Sequence, residues 1–159
     1  MRRIVLAASA LVLLNGAAGA ACLARDAVYA IAAPERDAGE ARLAPLEHPQ
    51  TYSDLGLVIS DPANGRSWRF TFTASNGYSM NYILLDPPDE IAFPDALHVF
   101  FFREDKAGRL VPVDIPQAGD VAPDALFMPE LAVSLWYETS GEKNRTALRT
   151  GLWYRSSCR

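Results

Sequence analysis

Histidine, cysteine and clustered charge are all scarce in this 159-residue chain, and each scarcity excludes a class of site. Its two histidines, His48 and His98, have no cluster of cysteines near them, so the usual tetrahedral zinc sites are not expected. The net charge is −4 at pH 7, and no block of like charges interrupts the sequence. A basic footprint of the kind that binds nucleic acid is therefore missing. We predict no metal, no cofactor and no nucleic-acid partner.

Motifs of covalent catalysis and of phosphate binding are missing too. There is no Gly-x-Ser-x-Gly elbow and no glycine-rich phosphate loop. Ser140 and Lys143 have the bare Ser-x-x-Lys spacing, which occurs often by chance. Four carboxylates crowd one proline-rich loop: Asp86, Asp89, Glu90 and Asp95. Such a loop suits acid–base catalysis or calcium binding, but a solvated loop is the commoner case.

What the chain does have is a secretory signal at its start. Residues 1–3 form a basic stub, and residues 4–14 are apolar apart from one serine. This apolar run of about 11 residues is far shorter than the roughly 20 that span a bilayer. Small residues then lead up to Ala20 and Ala21, and signal peptidase is expected to cut between these two. The protein is therefore predicted to be exported, to the periplasm or the extracellular space.

Removal of the signal, residues 1–20, leaves residues 21–159 as one predicted domain. The signal contains Arg2 and Arg3 and no acid, so the net charge of −4 becomes −6 in the mature protein. No second apolar stretch is long enough to cross a membrane. The mature protein is expected to have no transmembrane segment.

The only two cysteines, Cys22 and Cys158, lie near the two ends of the mature domain. Exported compartments are oxidising, so the sequence predicts one disulfide bond between them. An alternative exists for Cys22, because bacterial lipoproteins are acylated on a cysteine at the first mature position. Gly19 occupies the place where such a motif usually has leucine, and acylation would leave Cys158 without a partner. The disulfide is the preferred prediction, and an outer-envelope lipoprotein is the alternative.

Short segments of β-prone residues separated by turn sequences predict a mainly antiparallel β fold, a sandwich or flattened barrel with one or two short helices. Strands are predicted at residues 27–32, 41–46, 55–60, 97–103, 110–115 and 146–154. Pro112 cannot donate a hydrogen bond to a neighbouring strand, so its strand is expected at an edge of the sheet. Residues 131–137 are predicted to be a short helix, with a strand as the alternative.

A stripe of alternating aromatic residues, Trp68, Phe70 and Phe72, begins the clearest hairpin and is predicted to face the core. Apolar residues also alternate in the returning strand. A three-residue loop at residues 75–77 would pair Phe72 with Met80 and make one face wholly apolar. We therefore predict this register for the hairpin.

Three further aromatic residues, Tyr52, Trp153 and Tyr154, lie near predicted strand ends or loops and are expected to be exposed. Binding faces are enriched in tryptophan and tyrosine. The predicted function is a non-catalytic binding or interaction module of the cell envelope, with an envelope protein or a glycan as its partner. The alternative is a small secreted hydrolase that uses carboxylates or His98. The sequence alone identifies no ligand-binding residue.

Overall fold

The computed structural model describes residues 21–49, 52–75, 80–86 and 96–159. The predicted signal, residues 1–20, lies outside these ranges, as do Asp89, Glu90 and Asp95 of the acidic loop. Within the described ranges, no helix is long and apolar enough to cross a membrane.

In the described residues, ten antiparallel strands form a single curled sheet, a half-barrel, that is accompanied by one α-helix. In chain order the elements are β1 Ala27–Ile31, β2 Glu40–Pro45, β3 Leu55–Asp61, β4 Arg66–Ala74, β5 Asn81–Leu85, β6 Leu97–His98, β7 Phe100–Glu104, β8 Leu110–Val113, β9 Ala125–Phe127, α1 Leu131–Glu138 and β10 Leu152–Cys158. Across the sheet the strands follow the order β6-β5-β4-β3-β2-β1-β10-β9-β7-β8. The predicted antiparallel β fold and the predicted helix are confirmed.

Alternation along the strands directs one set of side chains into the concave core of the sheet. These inward residues include Leu43, Leu57, Ile59, Phe70, Phe72, Ile83, Phe101 and Trp153. Leu131 and Leu135 of α1 belong to the same buried cluster, so the helix packs against the core by one of its faces. The predicted inward direction of Phe70 and Phe72 is confirmed, and Trp68, the third residue of the stripe, is partly buried against the same cluster.

Residues 97–104 connect the two ends of the strand order, because they contribute a strand near each end. Its first part, β6, pairs with β5, whereas its second part, β7, pairs with β8 and β9. Val99 marks the crossing, and its backbone N–H donates to the carbonyl oxygen of Asn81 (3.0 Å). We call this crossing the seam. Pro112 lies in β8, the last strand of the order, so its predicted edge position is confirmed.

The predicted register of the β4–β5 hairpin is wrong. Phe72 pairs with Ile83 rather than with Met80, and the backbone N–H of Ser75 donates to the Met80 carbonyl oxygen across a longer loop. β5 is apolar on both faces, so two registers satisfy the alternation pattern. The fold uses the one that places Ile83 in the core, where it is fully buried. Residues 76–79 of the loop lie outside the described ranges.

The last strand begins later than predicted. Residues 146–150 are irregular, and β10 spans Leu152–Cys158 between β1 and β9. Trp153 is consequently an inward residue of an interior strand, only 2% exposed, and its predicted exposure is wrong. Tyr154 alternates with it and is exposed, as predicted. Tyr52 is exposed as well.

The two termini of the domain meet where β10 pairs with β1. Ala27 lies opposite Cys158, and Cys22 precedes β1 by a few residues. A disulfide bond joins Cys22 and Cys158, whose Cα atoms are 5.8 Å apart. Cross-linking residues so far apart in sequence restricts the unfolded chain, which typically contributes about 2–4 kcal/mol. Acylation of Cys22 would require the sulfur atom that this bond uses.

Candidate functional site

The helix α1 carries apolar side chains on both of its faces, which is unusual for a helix at a protein surface. Leu131 and Leu135 are buried, whereas Val133, Trp136 and Tyr137 are 50%, 40% and 70% exposed. These three follow the i, i+3, i+4 spacing of residues that share a helix face. We call Val133, Trp136 and Tyr137 the helix surface. An exposed apolar face of this kind marks an interaction site more often than an isolated exposed residue does.

A groove of about 360 Å³ runs beside the helix surface. Ala132, Val133, Trp136, Ala147 and Leu148 form its apolar walls. Polar groups stand at its border. The Arg149 Nε atom lies 3.8 Å from a carboxylate oxygen of Asp37, and the Arg145 guanidinium lies 4.9 Å from the centre of the Trp136 ring. An apolar centre with a polar rim, rich in tryptophan, tyrosine and arginine, is typical of protein–protein interfaces.

A buried polar network holds the helix in place. The Thr146 hydroxyl donates to a carboxylate oxygen of Asp61 (2.7 Å), and the Thr146 backbone N–H donates to the Thr139 hydroxyl oxygen (3.0 Å). Thr139 in turn donates to the Leu135 carbonyl oxygen (2.9 Å). Asp61 is 1% exposed, and its second partner is the Asn64 amide. Because each buried polar group has a partner, this network fixes the end of α1 to the end of β3.

A second group of half-buried rings lies on the outer face of the sheet at the seam. Val99 and Phe101 point into the core, so alternation directs His98 and Phe100 outward. Ring centres are 4.7 Å apart between Tyr82 and His98, 6.2 Å apart between His98 and Phe100, and 6.4 Å apart between Phe100 and Phe127. We call Tyr82, His98, Phe100 and Phe127 the seam row.

Glu130 completes the seam row, and the topology explains why. β9 ends at Phe127, which pairs with Phe100, so no β9 residue lies opposite the backbone N–H of His98. On the other side of β6, His98 pairs with Tyr82 of β5. Glu130 Oε2 accepts from this N–H (3.1 Å), and Glu130 Oε1 lies 2.8 Å from His98 Nδ1. One carboxylate thus replaces the missing strand partner and also orients the imidazole ring.

A cleft of about 410 Å³ opens beside the seam row, on the side where β5 and β8 approach each other. Asn81, Phe100, Phe101, Pro112, Val113 and Asp114 line this seam cleft. Phe100 therefore belongs both to the seam row and to the cleft wall. No described residue forms an ion pair or hydrogen bond with the Asp114 side chain. The seam cleft is consequently lined by both apolar and polar residues, and the Asp114 carboxylate at its edge has no partner among the described residues.

No protein-family model, curated protein or solved structure matches this chain. Function is therefore inferred from the geometry of the helix surface and the seam. Of the histidines considered in the sequence, His98 belongs to the seam row and His48 lies in an exposed loop. Among the described residues, no group of three or more His, Cys, Asp or Glu side chains is placed to hold a metal ion.

Both surfaces were missed by the sequence-based predictions, although each left a signal. The run 131–137 contains only one polar residue, Ser134, and that composition already requires a helix that is apolar on both faces. Residues 99–102 are apolar on both faces as well. A run of this kind is typical of a strand in the interior of a sheet, and β7 is indeed paired on both sides. The outer face of the strand is nevertheless only half-buried at Phe100 and Phe102.

Proposed function

We propose that this protein is exported and acts as a non-catalytic interaction module of the cell envelope, in the periplasm or outside the cell. Three features support the proposal. Residues 1–20 have the composition of a cleaved secretory signal, the Cys22–Cys158 disulfide suits an oxidising compartment, and the helix surface suits a protein partner.

The helix surface is the observation that carries the proposal. Its exposed tryptophan and tyrosine offer large contact areas at a small cost in side-chain entropy. The adjacent groove of about 360 Å³ can accept an apolar side chain from the partner. Since the helix is fixed by the Thr146–Asp61 network, the surface is organised before the partner arrives. The partner that fits best is another envelope protein with an apolar side chain that fills the groove.

Export is tested by the intact mass of the protein recovered from its native host, with and without reductant. The expected mass is that of residues 21–159 less two hydrogens, which reduction restores. A mass that starts at Cys22 and includes acyl chains would instead establish the lipoprotein alternative. A mass that retains residues 1–20 in a cytoplasmic fraction would contradict export.

The interaction is tested by photo-crosslinking in the host envelope, with a crosslinking side chain at position 137 of the helix surface and, as a control, at position 154. Tyr137 and Tyr154 are both exposed tyrosines, but Tyr154 lies on β10, away from the helix face. We expect one defined product from position 137, which the substitution Trp136→Ala abolishes while Tyr154→Ala does not. The same products from both positions would contradict the proposal.

One observation favours the alternative function, a small secreted hydrolase. His98 Nδ1 and Glu130 Oε1 are 2.8 Å apart, as in a catalytic base and the carboxylate that orients it. If an activity is found, and His98→Ala abolishes it while the fold survives, the protein is an enzyme. Asp89→Ala and Glu90→Ala apply the same test to the carboxylates of the acidic loop.

A further inference from the structure

We propose that the seam cleft binds a small organic cation, an ammonium group on a short apolar stem. This site shares no lining residue with the helix surface, so the proposal goes beyond the interaction described above and does not depend on it.

The dimensions and walls of the seam cleft fit a small ligand with an apolar body. A volume of about 410 Å³ lies within the usual range of ligand sites, roughly 300–1,000 Å³. Four of its six lining residues are apolar: Phe100, Phe101, Pro112 and Val113. Phe100 is the aromatic residue that the cleft shares with the seam row, where His98 and Phe127 stack with its ring.

The charges around the cleft favour a cation over a neutral or anionic ligand. Asp114 lies at its border with no described partner, and the Glu130 carboxylate lies next to His98, which stacks on Phe100. Among the described residues, no lysine or arginine lines the cleft; Arg103 lines the adjoining cavity, which shares Val113 and Asp114 with the cleft. The net charge of −6 that remains without Arg2 and Arg3 adds a general attraction for cations. A positive head group in the cleft would therefore find, at its border, a carboxylate that has no partner among the described residues.

The experiment compares three ligands of one shape by NMR titration of the oxidised protein: n-butylammonium, n-butanol and butyrate. We expect n-butylammonium to bind with a dissociation constant on the order of 1 mM, and to shift the backbone signals of Asn81, Phe100 and Val113. Butanol, which has the same stem without the charge, should bind at least about tenfold more weakly. Butyrate should not bind measurably.

Two matched variants test the role of the carboxylate. Asp114→Asn removes one negative charge at the cleft, and Glu35→Gln removes one at an exposed turn outside it. Affinity for n-butylammonium should fall about fivefold to tenfold in the first variant and stay unchanged in the second. Both positions are exposed, so neither change is expected to unfold the protein.

Three results would overturn the proposal. Butanol that binds as tightly as n-butylammonium would make the cleft a site for neutral ligands, such as a glycan. If Asp114→Asn and Glu35→Gln lower the affinity for n-butylammonium equally, binding depends only on the overall charge of the protein and not on the cleft. No saturable shifts with any ligand would mean that the cleft binds no cation. None of these results bears on the crosslinking test of the helix surface, and Trp136→Ala should leave n-butylammonium binding intact.

Discussion

The helix surface and the seam row both present aromatic side chains outside the core, but they are built in different ways. Trp136 and Tyr137 project from a helix whose opposite face packs against the core, and they are 40% and 70% exposed. The rings of the seam row lie against one another across strands, and Glu130 holds His98 in position. A broad, exposed surface suits a protein partner, whereas a half-buried and organised site suits a small ligand.

The largest expected difference in the free energy of unfolding is between a substitution on the inner face of the seam and one on its outer face. Phe101 is 1% exposed, and its ring meets Phe72 edge to face with centres 5.6 Å apart. Phe101→Ala should lower the free energy of unfolding by about 3–5 kcal/mol, because it leaves a cavity. Phe100→Ala, on the outer face, should cost less than half as much. Urea denaturation measures both. Equal costs would mean that the seam row is simply part of the core.

Substitutions on the two faces of α1 are also expected to differ in their effect on the free energy of unfolding. Leu135 is fully buried, so Leu135→Ala should lower the free energy of unfolding by about 2–5 kcal/mol. Val133→Ala should change it by no more than about 0.5 kcal/mol, because Val133 is half exposed and alanine is a better helix former. Thermal or urea unfolding provides the measurement. A large cost for Val133→Ala would show that this face is required for folding rather than kept for a partner.

Much of the fold could be predicted because the β segments are short and separated by strong turn sequences. The edge position of Pro112 followed from its missing N–H, and the Cys22–Cys158 pair followed from the predicted export. The prediction that was wrong is the register of the β4–β5 hairpin. β5 carries apolar residues on both faces, so alternation alone could not decide whether Met80 or Ile83 lies opposite Phe72.

The candidate sites were harder to predict because they depend on contacts between residues distant in sequence. His98 was singled out, but its partner Glu130 lies 32 positions away and meets it only because β9 ends early. The seam cleft forms where β5 and β8 approach each other, and no pattern within a short stretch of sequence predicts that the two strands lie close together. Local periodicity identifies a strand and its faces, whereas only the topology brings two sheet ends together.

A smaller loss of stability is expected when the contacts between Glu130 and His98 in the seam row are removed. Glu130→Ala leaves the His98 N–H without its protein partner, and at a half-exposed position water replaces part of the lost hydrogen bonding. We expect a loss of about 0.5–1.5 kcal/mol in urea denaturation. Glu130→Gln keeps an oxygen acceptor and should cost less. If both variants match the wild type, Glu130 does not organise the seam, and the contrast with the helix surface weakens.

The smallest expected effect is a change in the pKa of Asp105, one of two aspartates that we compare in and next to the β7–β8 hairpin. Asp114 at the cleft has no described partner, whereas Asp105 in the turn accepts from the backbone N–H of Arg109 (3.0 Å), from Arg109 Nε (2.8 Å) and from the Ala107 backbone N–H (2.8 Å). These hydrogen bonds, those of Arg109 foremost, lower the pKa of Asp105. Its contribution to stability is therefore present above the ordinary pKa of an aspartate and is lost as the pH falls through the lowered value.

Arg109→Ala removes the side-chain hydrogen bond and the ion pair with Asp105 and keeps both backbone hydrogen bonds. The pKa of Asp105, followed by NMR of its carboxyl carbon, should therefore rise only part of the way to the ordinary aspartate value. A full return to that value would show that the Arg109 side chain alone lowers the pKa. No change would show that the backbone of the turn does so alone. In either case the paired acid of the turn is the internal reference for Asp114, whose carboxylate should respond to added n-butylammonium while that of Asp105 does not.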